Sequence, residues 1–304
     1  MRQLSYTIEP EADGLSVNAY ARNIAGLSRA FLRSVKFREN GILINGQRVT
    51  TRGVLHAGDS LVFNIPNDRT QKVVPAEGPV SIVFENEDIV LVNKPAGLVI
   101  HPCHGHYSDT LLSYLAWYYR LLPEQPLLCP IGRLDKDTSG IMICAKNDAA
   151  HLSLSQQIQD KTAQRTYLAV VRGNIKTDSG VIETLIARDK NDRKKMAVVK
   201  EGGRDAVTEY EVLERFGKYT IVRCRLRTGR THQIRVHMEY LGYPLVGDPK
   251  YSPMKTPFSI QGQALHSQTL EFTHPRTGER LSFEAPMPED MHKIVTRLRL
   301  GQFN

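Results

Sequence analysis

Two polar runs hold the residues best placed to do chemistry. The first, Gly132-Arg133-Leu134-Asp135-Lys136-Asp137-Thr138-Ser139-Gly140, lies between the apolar stretches LLCPI and IMICA, so Asp135 sits on a loop delivered at a strand end. At neutral pH an aspartate is a carboxylate, available as a nucleophile, a base or an electrostatic partner. Taken alone, this loop is an ordinary turn. The second run, LRTGRTHQIRVHMEYLGYPLVGDPKY, ends a strand at Gly229 and opens a helix near Thr231, the predicted N-cap, with Gly242 as the predicted C-cap. Ile234, Met238 and Leu241 share its expected buried face. Arg230, His232 and Arg235 crowd the first turns, where the helix dipole disfavours cations. Such crowding implies an anion: a phosphate, a side-chain carboxylate such as Asp135, or both.

The elements around these runs read mostly as strands. From Ser81, SIVFENEDIVLVNKP (81–95) gives two strands around ENED, and IMICAKN (141–147), TYLAVVRG (166–173), GVIETLIARD (180–189), AVTEYEVLERF (206–216) and YTIVRCRLRTG (219–229) follow. Helical patterns fall mainly at 109–122, 148–160 and 232–241. Strands that succeed one another with few helices between them predict an α+β fold with a mixed, largely antiparallel sheet.

Residues 14–75 read as a separate, small α/β module, with helices at VNAYARNIAG and LSRAFLRSVKFREN and short strands at ILING and SLVF. Asn45-Gly46 marks a tight turn. Arg29, Arg33 and Lys36, four and three residues apart, share one side of the second helix, a face suited to a phosphate backbone. The Pro-containing polar stretch at about 64–80 is the expected linker, and 81–300 the larger domain. A net charge of +8 over 304 residues favours a polyanionic partner. Cys103, Cys129, Cys144 and Cys224 are scattered and form no C-x-x-C pair, which favours reduced thiols in a cytoplasm. The start carries no secretory signal pattern and no stretch is apolar enough to span a bilayer, so no membrane is expected. Cys103, His104, His106 and Cys129 match no standard zinc spacing, and no metal is expected.

GRLDKDTSGIMICAKN, RTYLAVVRG and RTGRTHQIRVHMEYLGYPLVGDPKY, with the earlier VNKPAGLVIHP and the later ALHSQTLEFTHP, together resemble the RluA/RluD class of pseudouridine synthases. The resemblance runs from about Ser81 to the C-terminal region. GILINGQRV with AGDSLVF resembles the S4 RNA-binding domain, a frequent companion in that class. The resemblance implies isomerisation of uridine to pseudouridine in structured RNA, with ribosomal RNA the leading expectation and transfer RNA the alternative. It implies that Asp135 is the catalytic aspartate, Tyr167 the aromatic that packs on the target base, and Arg235 the partner of Asp135. Arg133 is expected to reach into the RNA where the flipped base was. Arg230, His232, Lys94, Arg29, Arg33 and Lys36 are the remaining expected substrate or RNA contacts. Gly132 departs from the pattern, standing where many members have His. The run RDKNDRKKM (188–196) is a solvated hairpin tip or an RNA-contacting loop, the second preferred.

Making pseudouridine breaks the N1 to C1′ bond, turns the uracil and joins C5 to C1′, a reaction that needs no metal and no redox cofactor. A monomer without cofactor is expected. The residues leave the role of Asp135 open between attack on C1′, stabilisation of a positive sugar, and action elsewhere on sugar or base. Two other readings stand beside this one. The first is an inactive synthase fold that binds RNA, for example in ribosome assembly. The second is a nucleoside or glycoside hydrolase, for which the sequence shows no second acid at a recognisable motif.

Overall fold

The computed structural model describes residues 2–27, 29–65, 73–252 and 254–302. The chain divides into two units, Met1–Lys72 and Val73–Asn304. The first contains strands β1 (Arg2–Thr7), β2 (Ile42–Ile44), β3 (Gln47–Arg48) and β4 (Ser60–Ile65), in the antiparallel order β1-β4-β2-β3, with helices α1 (Val17–Asn23) and α2 (Arg29–Val35). Strand β1 precedes the expected start at residue 14 and pairs with β4 along its whole length. Asn45-Gly46 turns the chain between β2 and β3. The Asn45 side chain accepts the Ser60 N–H at 2.8 Å and donates to Asp59 at 2.7 Å, which ties the turn to the start of β4. Helix α2 stops at Val35, short of the expected end at 40. Beyond it Gly41 lies against the Val35 carbonyl so closely that a β-carbon would collide with it, so only glycine fits where the chain passes the helix end.

The expected linker falls partly on residues 66–72, which lie outside the described residues. The part from 73 to 80 differs from a detached linker. It has no helix or strand, yet Val73 and Val80 pack against the core of the second unit and the Ala76 N–H donates to the Ser113 carbonyl at 3.2 Å.

The second unit contains β5 (Ile82–Glu85), β6 (Ile89–Lys94), β7 (Cys129–Pro130), β8 (Ser139–Ala145), β9 (Gln164–Arg172), β10 (Ser179–Arg188), β11 (Met196–Val199), β12 (Arg204–Arg215), β13 (Tyr219–Leu226), β14 (Leu265–Thr273) and β15 (Arg280–Glu284). Its helices are α3 (Leu111–Tyr118), α4 (Asp148–Gln159), α5 (Gln233–Tyr240) and α6 (Glu289–Arg299). Among the described residues they form one sheet in the order β11-β10-β12-β13-β9-β14-β8-β6-β5, with β15 on β14 and β7 on β8. Every pairing is antiparallel except that of β14 with β8. This is the α+β architecture implied by the strand runs.

Period-two alternation assigns the faces. Val90, Met142, Tyr167, Ala169 and Val222 point to the side packed by α3 and α5. Ile89, Ile141 and Ile143 point to the side packed by α4, and Leu168, Val170 and Ile221 to the part of that side packed by α6. Full burial of such a side chain contributes roughly 1.5–3 kcal/mol, and β8 is buried along its entire length. Such complete burial makes the strand beneath the site resistant to local opening. The parallel step of β14 on β8 gathers the site-bearing segments: the Asp135 loop enters β8, Tyr167 on β9 pairs with Ser267 of β14, and Ser267 pairs with Gly140 of β8. Among the described residues no helix is long and apolar enough to cross a membrane.

Candidate active site

The Asp135 loop is held from several directions. Leu134 is buried in the core, leaving Arg133 exposed on one side of it and Asp135, with its side chain 24% exposed, on the other. The Asp135 carbonyl accepts the Thr138 N–H at 3.1 Å, which closes a turn, and Thr138 Oγ1 accepts from Gln263 at 2.9 Å. From below, the Lys136 carbonyl accepts the Gly97 N–H at 3.0 Å and Lys94 Nζ at 2.8 Å.

Lys94 corrects the expectation of a substrate contact. It is fully buried, and Nζ donates to the carbonyls of Pro95, Leu98 and Lys136 at 2.7, 2.9 and 2.8 Å. Three acceptors match the three protons of an ammonium group. Burial pushes its pKa down to about 7, against the pull of Asp137 and Asp135. The segment NKPAG is therefore a staple under the Asp135 loop; its Pro and Gly signalled a turn, but nothing in the local pattern signalled burial.

Gly132 gives the departure at that position a physical form. Its φ is +75°, and Arg165, whose guanidinium donates to the Ile131 carbonyl, lies against it. A β-carbon at 132 would stand 2.8 Å from Arg165 Nη1. A side chain there strains the backbone and displaces Arg165 together.

Helix α5 supplies Arg235, which is 4% exposed. Its Nη1 donates to Asp135 Oδ2 at 2.9 Å, while Nε and Nη2 donate to Asp248 Oδ2 and Oδ1 at 2.7 and 2.9 Å. Burial opposes its charge, but Asp248 and Asp135 more than reverse that and raise its pKa. The two-pronged face of the guanidinium is thus matched to a fully buried carboxylate, and the remaining edge to Asp135. Asp248 Oδ1 also accepts the N–H groups of Lys250 and Tyr251, at 2.9 and 3.1 Å. Sequence reasoning gave Asp248 no role. The available signal was GDPKY, an acid set between Gly and Pro.

The start of α5 also differs from expectation. Thr231 does not cap it; the helix begins at Gln233, after His232 in the left-handed region at φ +58°. Gln233 closes the end from inside, its Oε1 accepting the Arg230 N–H and the Thr228 hydroxyl, each at 2.9 Å. Thr231 instead accepts Arg133 Nη2 at 3.0 Å, which joins the two polar runs. At the far end, Gly242 and Tyr243 donate their N–H groups to the carbonyls of Glu239 and Met238, the closure expected of a C-cap glycine. Ile234 and Met238 are buried, but burial continues right around the helix from Gln233 to Met238, while Leu241 is only partly covered.

His232 is not one of a cluster of cations. Burial lowers its pKa to about 4, so it is neutral at pH 7. Its Nδ1 is 2.8 Å from the Tyr251 hydroxyl, and its Nε2 is 4.0 Å from Asp135 Oδ2. Arg230 Nε donates to the Asp205 carbonyl at 2.8 Å. Asp135, Tyr167, Arg235, Arg133, Arg230 and His232 all line one pocket of about 280 Å³. That volume lies at the low end for small-molecule sites. Tyr167, 5% exposed, forms wall from β9. In the first unit Arg33 and Lys36 are exposed, with Lys36 Nζ 4.4 Å over the Phe37 ring. Arg29 opens α2, but its side chain lies outside the described residues. Residues 189–195 form the tip between β10 and β11.

Residues 88–240 match the family model described as RNA pseudouridylate synthase. A Bacillus subtilis protein named uncharacterized RNA pseudouridine synthase YlyB is 46% identical over 265 residues, covering 86% of this chain and 87% of its own. The ribosomal large subunit pseudouridine synthase D of Neisseria meningitidis serogroup A is 39% identical over 310 residues, covering 98% of this chain and 82% of its own. Among solved structures, human RNA pseudouridylate synthase domain containing 1 superposes with a TM-score of 0.56 at 26% identity, over 73% of this chain and 95% of that one. The chain belongs to the RNA pseudouridylate synthase family, in the RluA/RluD class that its motifs resemble. It is an isomerase that forms pseudouridine in RNA.

Proposed function

We propose that Asp135 is the catalytic carboxylate of a synthase that acts on ribosomal RNA, as a monomer in the cytoplasm, with residues 14–75 serving as an S4-like RNA-binding module and 81–300 as the catalytic domain. The observation that carries this reading is the Asp135 carboxylate, fixed through Oδ2 by a buried Arg235 that Asp248 holds in turn, at a pocket of about 280 Å³. One chain supplies all of these groups, so the pocket needs no second copy. Relatives named ribosomal large subunit pseudouridine synthase D, 36–40% identical over most of this chain, support ribosomal RNA as the substrate.

Extruding a uridine costs a few kcal/mol of unstacking. Arg133, on the outer side of Leu134, fills the space left in the RNA, and Arg230 and the exposed face of α2 hold the phosphates. In the pocket, Tyr167 stacks on the uracil. As the N1 to C1′ bond breaks, C1′ gains positive character, and Asp135 places negative charge against it. The uracil turns, C5 bonds to C1′, C5 loses its proton and N1 regains one.

The test is tritium release from ribosomal RNA carrying 5-tritiated uridine. Wild type is expected to release tritium without free uracil, and Asp135→Ala to release none while still binding RNA. Turnover by Asp135→Ala refutes the assignment. Free base would indicate a hydrolase, and binding without release an inactive RNA-binding fold. Transfer RNA as the better substrate would replace the ribosomal assignment.

A further inference from the structure

His232 has features that its expected part in RNA binding leaves unexplained. A residue with a β-carbon in the left-handed region costs about 1–2 kcal/mol, and such strain persists where the surroundings over-determine it. Here the surroundings are specific. The Tyr251 hydroxyl accepts the Met196 N–H at 2.8 Å, at the root of the basic tip 189–195, and lies 2.8 Å from His232 Nδ1. The two rings meet edge to face at 5.7 Å, and the Arg235 guanidinium lies 5.1 Å over the Tyr251 ring. Tyr251 retains its proton, since burial raises its pKa to about 12. Of its two described partners, the Met196 N–H can only donate and His232 Nδ1 alone can accept, which directs the hydroxyl proton to His232 Nδ1. A neutral imidazole that accepts at Nδ1 carries its own proton on Nε2. That Nε2 faces Asp135 Oδ2 at 4.0 Å, beyond a hydrogen bond but within the tightening that catalytic contacts undergo when substrate closes the site. Arg235 already donates to the same oxygen, Oδ2.

We infer that His232 is a positioning residue for Asp135: Tyr251 sets the imidazole proton on Nε2, and this N–H closes on Oδ2 in the RNA complex, so that Oδ1 is the oxygen presented to the ribose. The inference rests on Asp135 being the catalytic carboxylate. It assigns distinct work to the two oxygens of that group. Oδ2 is the held oxygen, bound by one cation and one neutral donor, and Oδ1 is the reacting one. A neutral donor fixes direction while adding no further positive charge to the carboxylate.

The test uses the full chain in two measurements. In NMR spectra of protein with 15N-labelled histidine rings, His232, assigned by its absence in His232→Gln, is expected in the Nε2–H form, and Tyr251→Phe is expected to mix the two tautomers. In single-turnover tritium release at saturating RNA, His232→Asn suits the left-handed backbone but is too short to reach Asp135. Its rate is expected to fall about 10–100-fold, the worth of a hydrogen bond to a charged group, with RNA affinity unchanged. His232→Gln, whose amide N–H reaches further, is expected to recover much of that loss. An Nδ1–H tautomer in the wild type overturns the inference, and so does a wild-type rate for His232→Asn alongside an inactive Asp135→Ala. If His232→Asn does not fold, the rate and tautomer of Tyr251→Phe decide. Turnover by Asp135→Ala is a different result and removes the underlying assignment instead.

Discussion

Helices α2 and α5 both carry arginine, yet the two settings are opposite. At α2, Arg33 and the following Lys36 stand in solvent. In α5, Arg235 lies within a stretch buried from Gln233 to Met238, and each edge of its guanidinium meets a carboxylate. Exposed cations are screened by salt and suit partners that come and go, such as phosphates. A buried cation needs a fixed partner, because an unpaired charge in a core is severely destabilising. The same residue types are thus left free for a mobile partner in one unit and locked onto carboxylates in the other, and burial decides which.

The largest test of this contrast is Arg235→Met, which leaves Asp135 and Asp248 without their cation. Turnover is expected to fall about 10²–10³-fold and stability by about 3–5 kcal/mol, read by single-turnover tritium release and urea unfolding. If both survive, α5 is no different from α2. Asp248→Asn preserves shape but removes the charge opposite the fork of Arg235; a loss of about 1.5–3 kcal/mol is expected, together with a smaller fall in turnover.

The buried half of the comparison also predicts a pH dependence. His237, fully buried in α5, sits between Thr208 and Thr184 at 2.8 and 2.9 Å, and burial pushes its pKa down from 6.5 to about 4. The unfolded chain takes up this proton first, so the stabilisation is complete above pH 6.5 and is lost as pH falls to 4, by roughly 3 kcal/mol. Urea titrations across that window are expected to show the loss, and His237→Gln to reduce it by that amount while the part due to His232, lowered in the same way, remains. The smallest effect on chemistry is expected from Arg33→Ala combined with Lys36→Ala. RNA affinity should drop several-fold, and the slope of log affinity against log salt should flatten by roughly 1.5–2. An unchanged salt slope would take α2 out of the RNA-binding surface.

What the sequence made readable was whatever depends on neighbours along the chain. The strand runs, Asn45-Gly46, Gly242 and the Asp135 loop between two apolar stretches all carry their cause locally. Contacts across long separations were the part that did not show. Asp248 meets Arg235 through a fold-back after α5, and Tyr251 reaches both His232 and Met196. Lys94 illustrates the same limit from the other side: a lysine between Asn and Pro gives no hint of the three carbonyls that converge on it. Beyond the early end of α2, Gly41 passes close to the Val35 carbonyl, an approach that no helical pattern encodes. Residue type alone groups His232 with the arginines, whereas burial fixes its charge.

The anchoring of the Asp135 loop has a consequence for how a target is chosen. With Leu134 locked in the core, Lys136 stapled from beneath and Thr138 tied to Gln263, the backbone that carries this carboxylate is pinned on both sides. The whole journey belongs to the nucleotide. Extruding a base costs a few kcal/mol of unstacking, and least where the base is already unpaired or weakly stacked.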